Sequence, residues 1–158
     1  MTTPIQCHQT TEPGKAMAVN FVPSEYQLVC NIAPTRRPRA FLIIADTLTF
    51  TFAEDGSELL QFDAYTNSAK WTQANLSFPD VVESCRLSAT PPPNDDNDRV
   101  NWNVVPKFSR DSNHGLLSIR FTQLPSQQFL RLAPNCVAGI DSDMCLVELI
   151  IGSESFRQ

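Results

Sequence analysis

The chain has 158 residues, of which 42% are hydrophobic, and this is enough for one compact domain with a buried core. Twelve basic residues stand against 17 acidic ones, and the net charge of −5 argues against a broad nucleic-acid-binding surface. A folded, weakly acidic protein is therefore expected, with no nucleic acid among its partners.

The N-terminal residues, 1–24, are rich in threonine and proline, with few charges and scattered apolar residues. Such a segment favours an arm that lies on the surface or is partly disordered. The remaining residues, 25–158, are expected to form a single β domain. Its first strand is predicted by the alternation of Tyr26, Leu28, Cys30 and Ile32 with polar neighbours.

The clearest strand signals lie between residues 40 and 64. The run Ala40–Ala45 is continuously apolar, and in residues 47–52 threonines alternate with Leu48 and two phenylalanines. Gly56 then interrupts a short polar connection before an apolar residue recurs at every second position from Leu60. This pattern predicts a β-hairpin.

Residues 66–89 allow two interpretations. Ser77 followed by Pro79 and Asp80 is typical of a helix N-terminus, with apolar residues following at roughly helical spacing, which favours a short helix. A strand through Val81, Cys85, Leu87 and Ala89 is the alternative.

The second half of the chain repeats the strand pattern after a proline-rich acidic loop near residues 91–98. Alternation at residues 100–104 and 117–122, around a turn at 110–115, predicts a second hairpin. Gln128–Leu132 and Leu146–Ile151 add further strands. Together, the pattern predicts a mainly β fold, an antiparallel β-sandwich or barrel of about eight strands with one or two short helices.

The first 25 residues lack the basic start and apolar run of a secretory signal, and no apolar window of transmembrane length occurs. A cytoplasmic protein, or an excised mature piece, is expected, with no membrane partner. The five cysteines form no CxxC motif, so reduced thiols are expected. A bridge between Cys136 and Cys145 is the less favoured alternative.

Catalysis by a thiol would need a base beside it, and the chain has only two histidines. The best combination is Cys136 in a turn-like setting, with His114 as base and Asp111 orienting the imidazole. A paired-carboxylate site could instead draw on Asp46, Asp63 or Glu148, although Asp63 and Glu148 are also expected at solvent-facing strand positions.

Cofactor motifs are lacking, since five glycines form neither a phosphate-binding loop nor a dinucleotide fingerprint, and no cofactor is expected. Asp95, Asp96 and Asp98 concentrate oxygen ligands in one loop, as a weak calcium candidate, and Asp141 with Asp143 forms a weaker pair.

The most unusual local feature is a basic group, Arg36, Arg37 and Arg39, flanked by prolines on an acidic protein. Guanidinium groups suit carboxylate or phosphate, so this group is a candidate binding site. Trp102 with Arg120 could form a second, stacking surface.

These observations favour a non-enzymatic cytosolic binding or protein-interaction module. It would bind a protein partner or an anionic ligand, with a homo-oligomer as an open alternative. The two alternative hypotheses are a structural subunit of a larger assembly and a small enzyme that uses the Cys/His or the paired-carboxylate site.

Overall fold

In the computed structural model the described residues are 3–33, 39–93 and 98–157, and they form a mainly β protein. The strands, in chain order, are β1 (Ile5–Thr10), β2 (Ala18–Val22), β3 (Gln27–Asn31), β4 (Ala40–Ala45), β5 (Leu48–Ala53), β6 (Leu59–Tyr65), β7 (Thr72–Gln73), β8 (Ser84–Ala89), β9 (Arg99–Asn101), β10 (Lys107–Asp111), β11 (Leu116–Arg120), β12 (Gln128–Ala133), β13 (Cys136–Ile140) and β14 (Leu146–Gly152). Short 3₁₀ helices occupy Pro23–Glu25, Ser68–Lys70 and Glu154–Arg157.

The strands form two sheets. The eight-stranded sheet has the order β1-β8-β12-β13-β14-β11-β10-β7, and the six-stranded sheet has the order β2-β3-β6-β5-β4-β9. Most pairs are antiparallel, as expected, but β7–β10, β8–β12 and β4–β9 are parallel, so both sheets are mixed. Neither sheet closes on itself over the described ranges, and the closed arrangement considered from the sequence is not the one adopted.

Two strands lie within the segment expected to be an arm. β1 pairs along its whole length with β8, and β2 pairs with β3. Ile5 and Cys7 are buried, and the backbone N–H of Cys7 donates to the carbonyl of Met144 at 2.8 Å. Two buried side chains among polar neighbours were too short a signal to predict a strand.

The helix predicted from Ser77 is wrong, and the alternative strand is present from Ser84 to Ala89. Cys85 and Leu87 alternate into the core while their neighbours face outward, a period of two that a helix could not satisfy. The preceding residues are held extended by Arg131, whose backbone N–H and Nε donate to the carbonyls of Glu83 and Val81 at 2.8 and 2.7 Å.

The first predicted hairpin is confirmed, because β5 and β6 are antiparallel neighbours. The second hairpin, predicted between residues 100–104 and 117–122, is wrong, although a turn does precede β11 where it was expected. β11 pairs with β10, which begins at Lys107, whereas β9 joins the six-stranded sheet parallel to β4. The strands beginning near Val100 and Leu117 therefore belong to different sheets.

The two sheets share one hydrophobic core. Phe50, on β5, lies 5.5 Å from Phe121, which follows β11 of the other sheet, measured between ring centroids. Trp102 stacks on the same Phe121 at 5.1 Å. The aromatic side chains thus connect the inward faces of both sheets.

The outward faces of the two sheets differ. On the eight-stranded sheet, the cross-strand neighbours Ser118, Ile150 and Val137 are only 5%, 6% and 0% exposed. The segment 76–81 crosses this sheet from β10 to β12: the N–H of Leu76 donates to Asp111 at the end of β10, and Phe78 lies 5.2 Å from the guanidinium of Arg131 on β12. The chain itself therefore covers this face.

Among the described residues, no helix is long and apolar enough to cross a membrane.

Candidate functional site on the open face of the six-stranded sheet

On β3, β5 and β6 the outward face of the six-stranded sheet keeps mostly polar side chains in contact with solvent, whereas the outward residues Leu42 and Ile44 of neighbouring β4 are apolar. Because side chains alternate along a strand, the residues next to the buried Leu28, Phe50 and Phe62 all point to this face. We define the open polar face as eight residues of β3, β5 and β6: Gln27, Val29, Asn31, Thr49, Thr51, Gln61, Asp63 and Tyr65.

Strand register brings these residues together in rows. Asp63 is opposite Val29 on one side and Thr49 on the other. Gln61 is likewise between Asn31 and Thr51. Neighbouring strands are about 4.8 Å apart, so amide, hydroxyl and carboxylate groups, interrupted by Val29, form an array about 10 Å wide.

Asp63 is the only charged side chain of the open polar face. Burial raises the pKa of its carboxyl, and the hydrogen bond from Nε2 of Gln61, which is long at 3.4 Å, opposes this only weakly. A carboxylate in this position destabilises the fold when ionised.

Two exposed tyrosines mark one end of the face. Tyr65 is opposite Gln27 and 65% exposed, and the ring of Tyr26 meets it edge-on at 5.7 Å. Tyr26 has a φ of +55°, which is strained for a bulky residue. Hydrogen bonds to Pro23 and from Thr66 hold its backbone in this conformation.

The predicted catalytic group is brought together only in part. Nδ1 of His114 lies 2.7 Å from Oδ2 of Asp111, so the carboxylate orients the imidazole as proposed. Cys136 is not in an exposed turn but is fully buried in β13, between β12 and β14. Burial raises the pKa of this thiol to about 12, which keeps it protonated at neutral pH.

The three candidate carboxylates are separated in the fold. Asp46 is an exposed turn residue between β4 and β5, and Asp63 is on the open polar face. The solvent-facing position expected for Glu148 is wrong: it is 6% exposed and accepts hydrogen bonds from Nη1 of Arg120 and, at 2.6 Å, from Oγ of Ser126.

Trp102 and Arg120 do not stack on each other. Trp102 is 5% exposed and packs in the core, although it lines a shallow groove of about 380 Å³. Arg120 pairs with Glu148 and donates from Nη2 to the carbonyl of Leu124. Both side chains therefore serve packing within the molecule.

Two predicted binding arginines, Arg36 and Arg37, lie outside the described residues. Arg39 is exposed, and its Nη1 is 3.6 Å from Oε1 of Glu54. An exposed pair of this kind contributes little to stability.

Of the metal candidates, Asp95 and Asp96 also lie outside the described residues, and Asp98 has a φ of +54° ahead of β9. Oδ1 of Asp141 accepts the N–H groups of Asp143 and Cys145, as in an Asx turn. In the described part of the chain, no group of three or more His, Cys, Asp or Glu side chains is placed to hold a metal ion.

All five cysteines are free thiols, and four of them are buried. The bridge between Cys136 and Cys145 is not formed. The reduced state expected from their spacing is therefore the state that the structure has.

Of the eight residues on the open polar face, only Asp63 is a candidate site residue from the sequence. The signal for the others is the polar half of each alternating strand, which by itself indicates only solvent-facing surface. Sequence reasoning also missed a second imidazole pair, in which Nε2 of His8 lies 2.6 Å from Oγ of Ser88 on the exposed side of β1 and β8.

No protein-family model matches this sequence, and no curated protein matches it significantly.

Proposed function

We propose that this protein is a non-enzymatic binding module that engages its partner through the open polar face. In this proposal the two sheets pack as a β-sandwich, with the shared aromatic core between them. A cytosolic location is part of the proposal, and the five free thiols support it.

One observation carries the proposal: the chain covers the outward face of one sheet and leaves that of the other in solvent. Ser118 and Ile150 are nearly inaccessible, whereas Thr49 and Asp63, at comparable central positions, remain partly exposed. Hydrogen-bonding groups fixed on a sheet need little ordering when a ligand binds, which lowers the entropic cost of association.

The two alternatives have weaker support. A thiol enzyme would need an accessible thiolate beside His114, and the burial of Cys136 argues against that arrangement. A structural subunit would be expected to present a broad apolar surface, but the exposed aliphatic residues Val82, Val105 and Leu124 lie outside the open polar face, and the exposed rings of Tyr26 and Tyr65 lie only at its end.

The proposal can be tested by amide chemical-shift mapping of the 17.6 kDa protein. Suitable probes are glucose and maltose, capped dipeptides, and small carboxylates and phosphates. We expect at least one probe class to shift amides of Gln27, Asp63 and Tyr65 in a saturable way. Shifts confined to other surfaces, such as the cleft of about 310 Å³ near Lys15 and Arg86, would overturn it, as would no shift at all.

A further inference from the structure

We propose that a small cavity at the end of the β10–β11 pair binds a short apolar carboxylate, at a site separate from the open polar face. The cavity has a volume of about 260 Å³ and lies between residues 104–105, which lead into β10, and residues 121–123, which follow β11. This site does not depend on the binding function proposed above. Its walls, its charges and its size together define the ligand.

Both apolar walls of the cavity are held by the same core side chain, Trp102. Phe121 is 4% exposed, and its ring stacks on the ring of Trp102 at 5.1 Å between centroids. The N–H of Val104 donates to the carbonyl of Trp102 at 2.8 Å. Pro106 restricts the preceding residue, Val105, to extended backbone. The walls are therefore fixed by the fold before any ligand binds.

The cavity leaves apolar surface in contact with water. Val105 is 69% exposed, and Leu124, which follows the lining residue Gln123, is 65% exposed. Exposed aliphatic side chains beside a concave surface that includes Val104 and Phe121 are typical of a ligand site. Binding of an apolar group would remove this surface from water, which favours association.

Two cations face each other at the cavity. Lys107 is directly opposite Arg120 in the β10–β11 register, and both residues line the cavity. Like charges directly opposite on neighbouring strands repel each other. The charge of Arg120 is balanced within the molecule, because its Nη1 pairs with Oε2 of Glu148, which is 6% exposed.

The charge of Lys107 is not balanced in this way. Lys107 is exposed, and in the described part of the chain no acidic side chain forms an ion pair with it. Glu148 is already engaged by Arg120 and Ser126. Asp46 lines the neighbouring groove of about 380 Å³ and not this cavity. A carboxylate bound here would balance Lys107, whereas an ammonium group would be repelled and a neutral group would leave the lysine unpaired.

The size of the cavity limits the apolar part of the ligand. Pockets for drug-sized ligands measure about 300–1,000 Å³. At about 260 Å³ this cavity lies just below that range, which suits a short aliphatic chain or a single ring. A polypeptide C-terminus has the same chemistry, but its preceding peptide groups need hydrogen-bond partners that Val105 and Leu124 cannot supply. The ligand we infer is therefore a free short-chain acid.

The test is titration of the whole protein with hexanoate, up to about 20 mM, followed by amide chemical shifts. We expect saturable shifts at Val105, Phe121 and Gln123. Hexanamide, which has the same chain without the charge, should bind at least about threefold more weakly. Acetate, which has the charge with little apolar surface, should not saturate. N-acetylglycyl-leucine, which represents a polypeptide C-terminus, should bind more weakly than hexanoate.

Three variants separate the charge from the apolar walls. Lys107→Met should weaken hexanoate binding at least about threefold and leave hexanamide binding within about twofold. Lys70→Met is the matched control, because Lys70 is also exposed but lies on the 3₁₀ helix Ser68–Lys70, outside the cavity. Its affinity for hexanoate should stay within about twofold. Val105→Ser should weaken the binding of both ligands through loss of apolar surface. Circular dichroism checks that each variant is folded.

The inference is overturned if hexanoate does not saturate these amides, or if hexanamide binds as tightly as hexanoate. It is also overturned if Lys107→Met, still folded, keeps its affinity for hexanoate. Tighter binding of N-acetylglycyl-leucine than of hexanoate would show that a free acid is the wrong ligand. The amides of Asp63 and Tyr65 report separately on the open polar face, so this inference and the proposed function can fail independently.

Discussion

Asp111 and His114 form a short hydrogen bond, 2.7 Å between Oδ2 and Nδ1, across the turn that joins β10 to β11. Because an ionised carboxylate only accepts, the proton lies on Nδ1 of the imidazole. The same carboxylate accepts the backbone N–H groups of Leu76, Asn113 and His114. Asp111 therefore anchors both the turn and the start of the segment that covers the eight-stranded sheet.

Replacing Asp111 with Asn should lower the thermal stability of the protein by a few degrees at pH 7. The N–H of Leu76, with further hydrogen bonds from His114, holds the pKa of Asp111 below its ordinary value, despite burial. A lowered pKa in the folded state gives stability above the unfolded pKa, near 4, that is lost as pH falls through the folded pKa. Melting temperatures between pH 3 and pH 7 measure this.

The difference in melting temperature between the unmodified protein and Asp111→Asn should therefore shrink below about pH 4. Asp80→Asn, at an exposed position, is the control and should change little. A destabilisation by Asp111→Asn that is independent of pH would contradict the role given to the charge.

Gly139→Ala should destabilise the protein by about 1–3 kcal/mol. A Cβ at Gly139 would lie 2.2 Å from Oγ of Ser126 and 2.8 Å from Cγ of Glu148, and it would break the hydrogen bond between them. Gly152→Ala is the control, because its new Cβ would lie 3.7 Å from the nearest atom. Its free energy of unfolding should change by no more than about 0.5 kcal/mol. Urea denaturation measures both. If Gly139→Ala and Gly152→Ala lowered the free energy of unfolding equally, the close packing of Ser126 and Glu148 against Gly139 would be unimportant.

Cys145 should be the first thiol to react with iodoacetamide in the folded protein, and it should react slowly at pH 7.5. Burial, together with Asp141 and Asp143, raises its pKa, so little thiolate is present. Asp143→Asn should accelerate the reaction by removing one of the two charges. Mass spectrometry of labelled peptides identifies the site. Rapid labelling of Cys136 before unfolding would contradict the burial described here.

Asp63→Asn should make the protein more stable at pH 7. Because burial raises the pKa of Asp63 above 3.8, the folded state holds this proton more tightly than the unfolded state. The unmodified protein thus gains stability as pH falls through the raised pKa, and the advantage of the variant disappears below about pH 4. Melting temperatures of both proteins between about pH 3 and pH 7 measure how this advantage changes. A lower melting temperature for Asp63→Asn at pH 7 would refute the prediction.

The strands that could be predicted were those in which alternation agrees with burial on one face. In β5, Thr49 and Thr51 face solvent while Phe50 is buried, so the pattern was unambiguous. β13 is short and buried on both faces, and a turn at residues 134–135 precedes it, so the sequence pattern wrongly predicts an exposed turn around Cys136. Two-sided burial removes the alternation on which the prediction depends.

The segment 77–89 shows a conflict between local and long-range interactions. Ser77 and Pro79 favour a helix start, but Arg131, some fifty residues away, binds the carbonyls of Val81 and Glu83 and aligns Ser84 beside β12. Helix-start preferences are worth about 1 kcal/mol, and burial of Cys85 and Leu87 outweighs them.

Periodicity was enough to predict a mainly β protein, because alternation is a property of neighbouring residues. The number and spacing of the cysteines were enough to predict free thiols. The pairing of strands over long distances decided the rest. It separated Cys136 from His114, buried Glu148 against Arg120, and placed Asp63, Thr49 and Tyr65 on one uncovered face. Strand register sets these proximities, and register between distant segments is fixed by packing of the whole core rather than by local sequence.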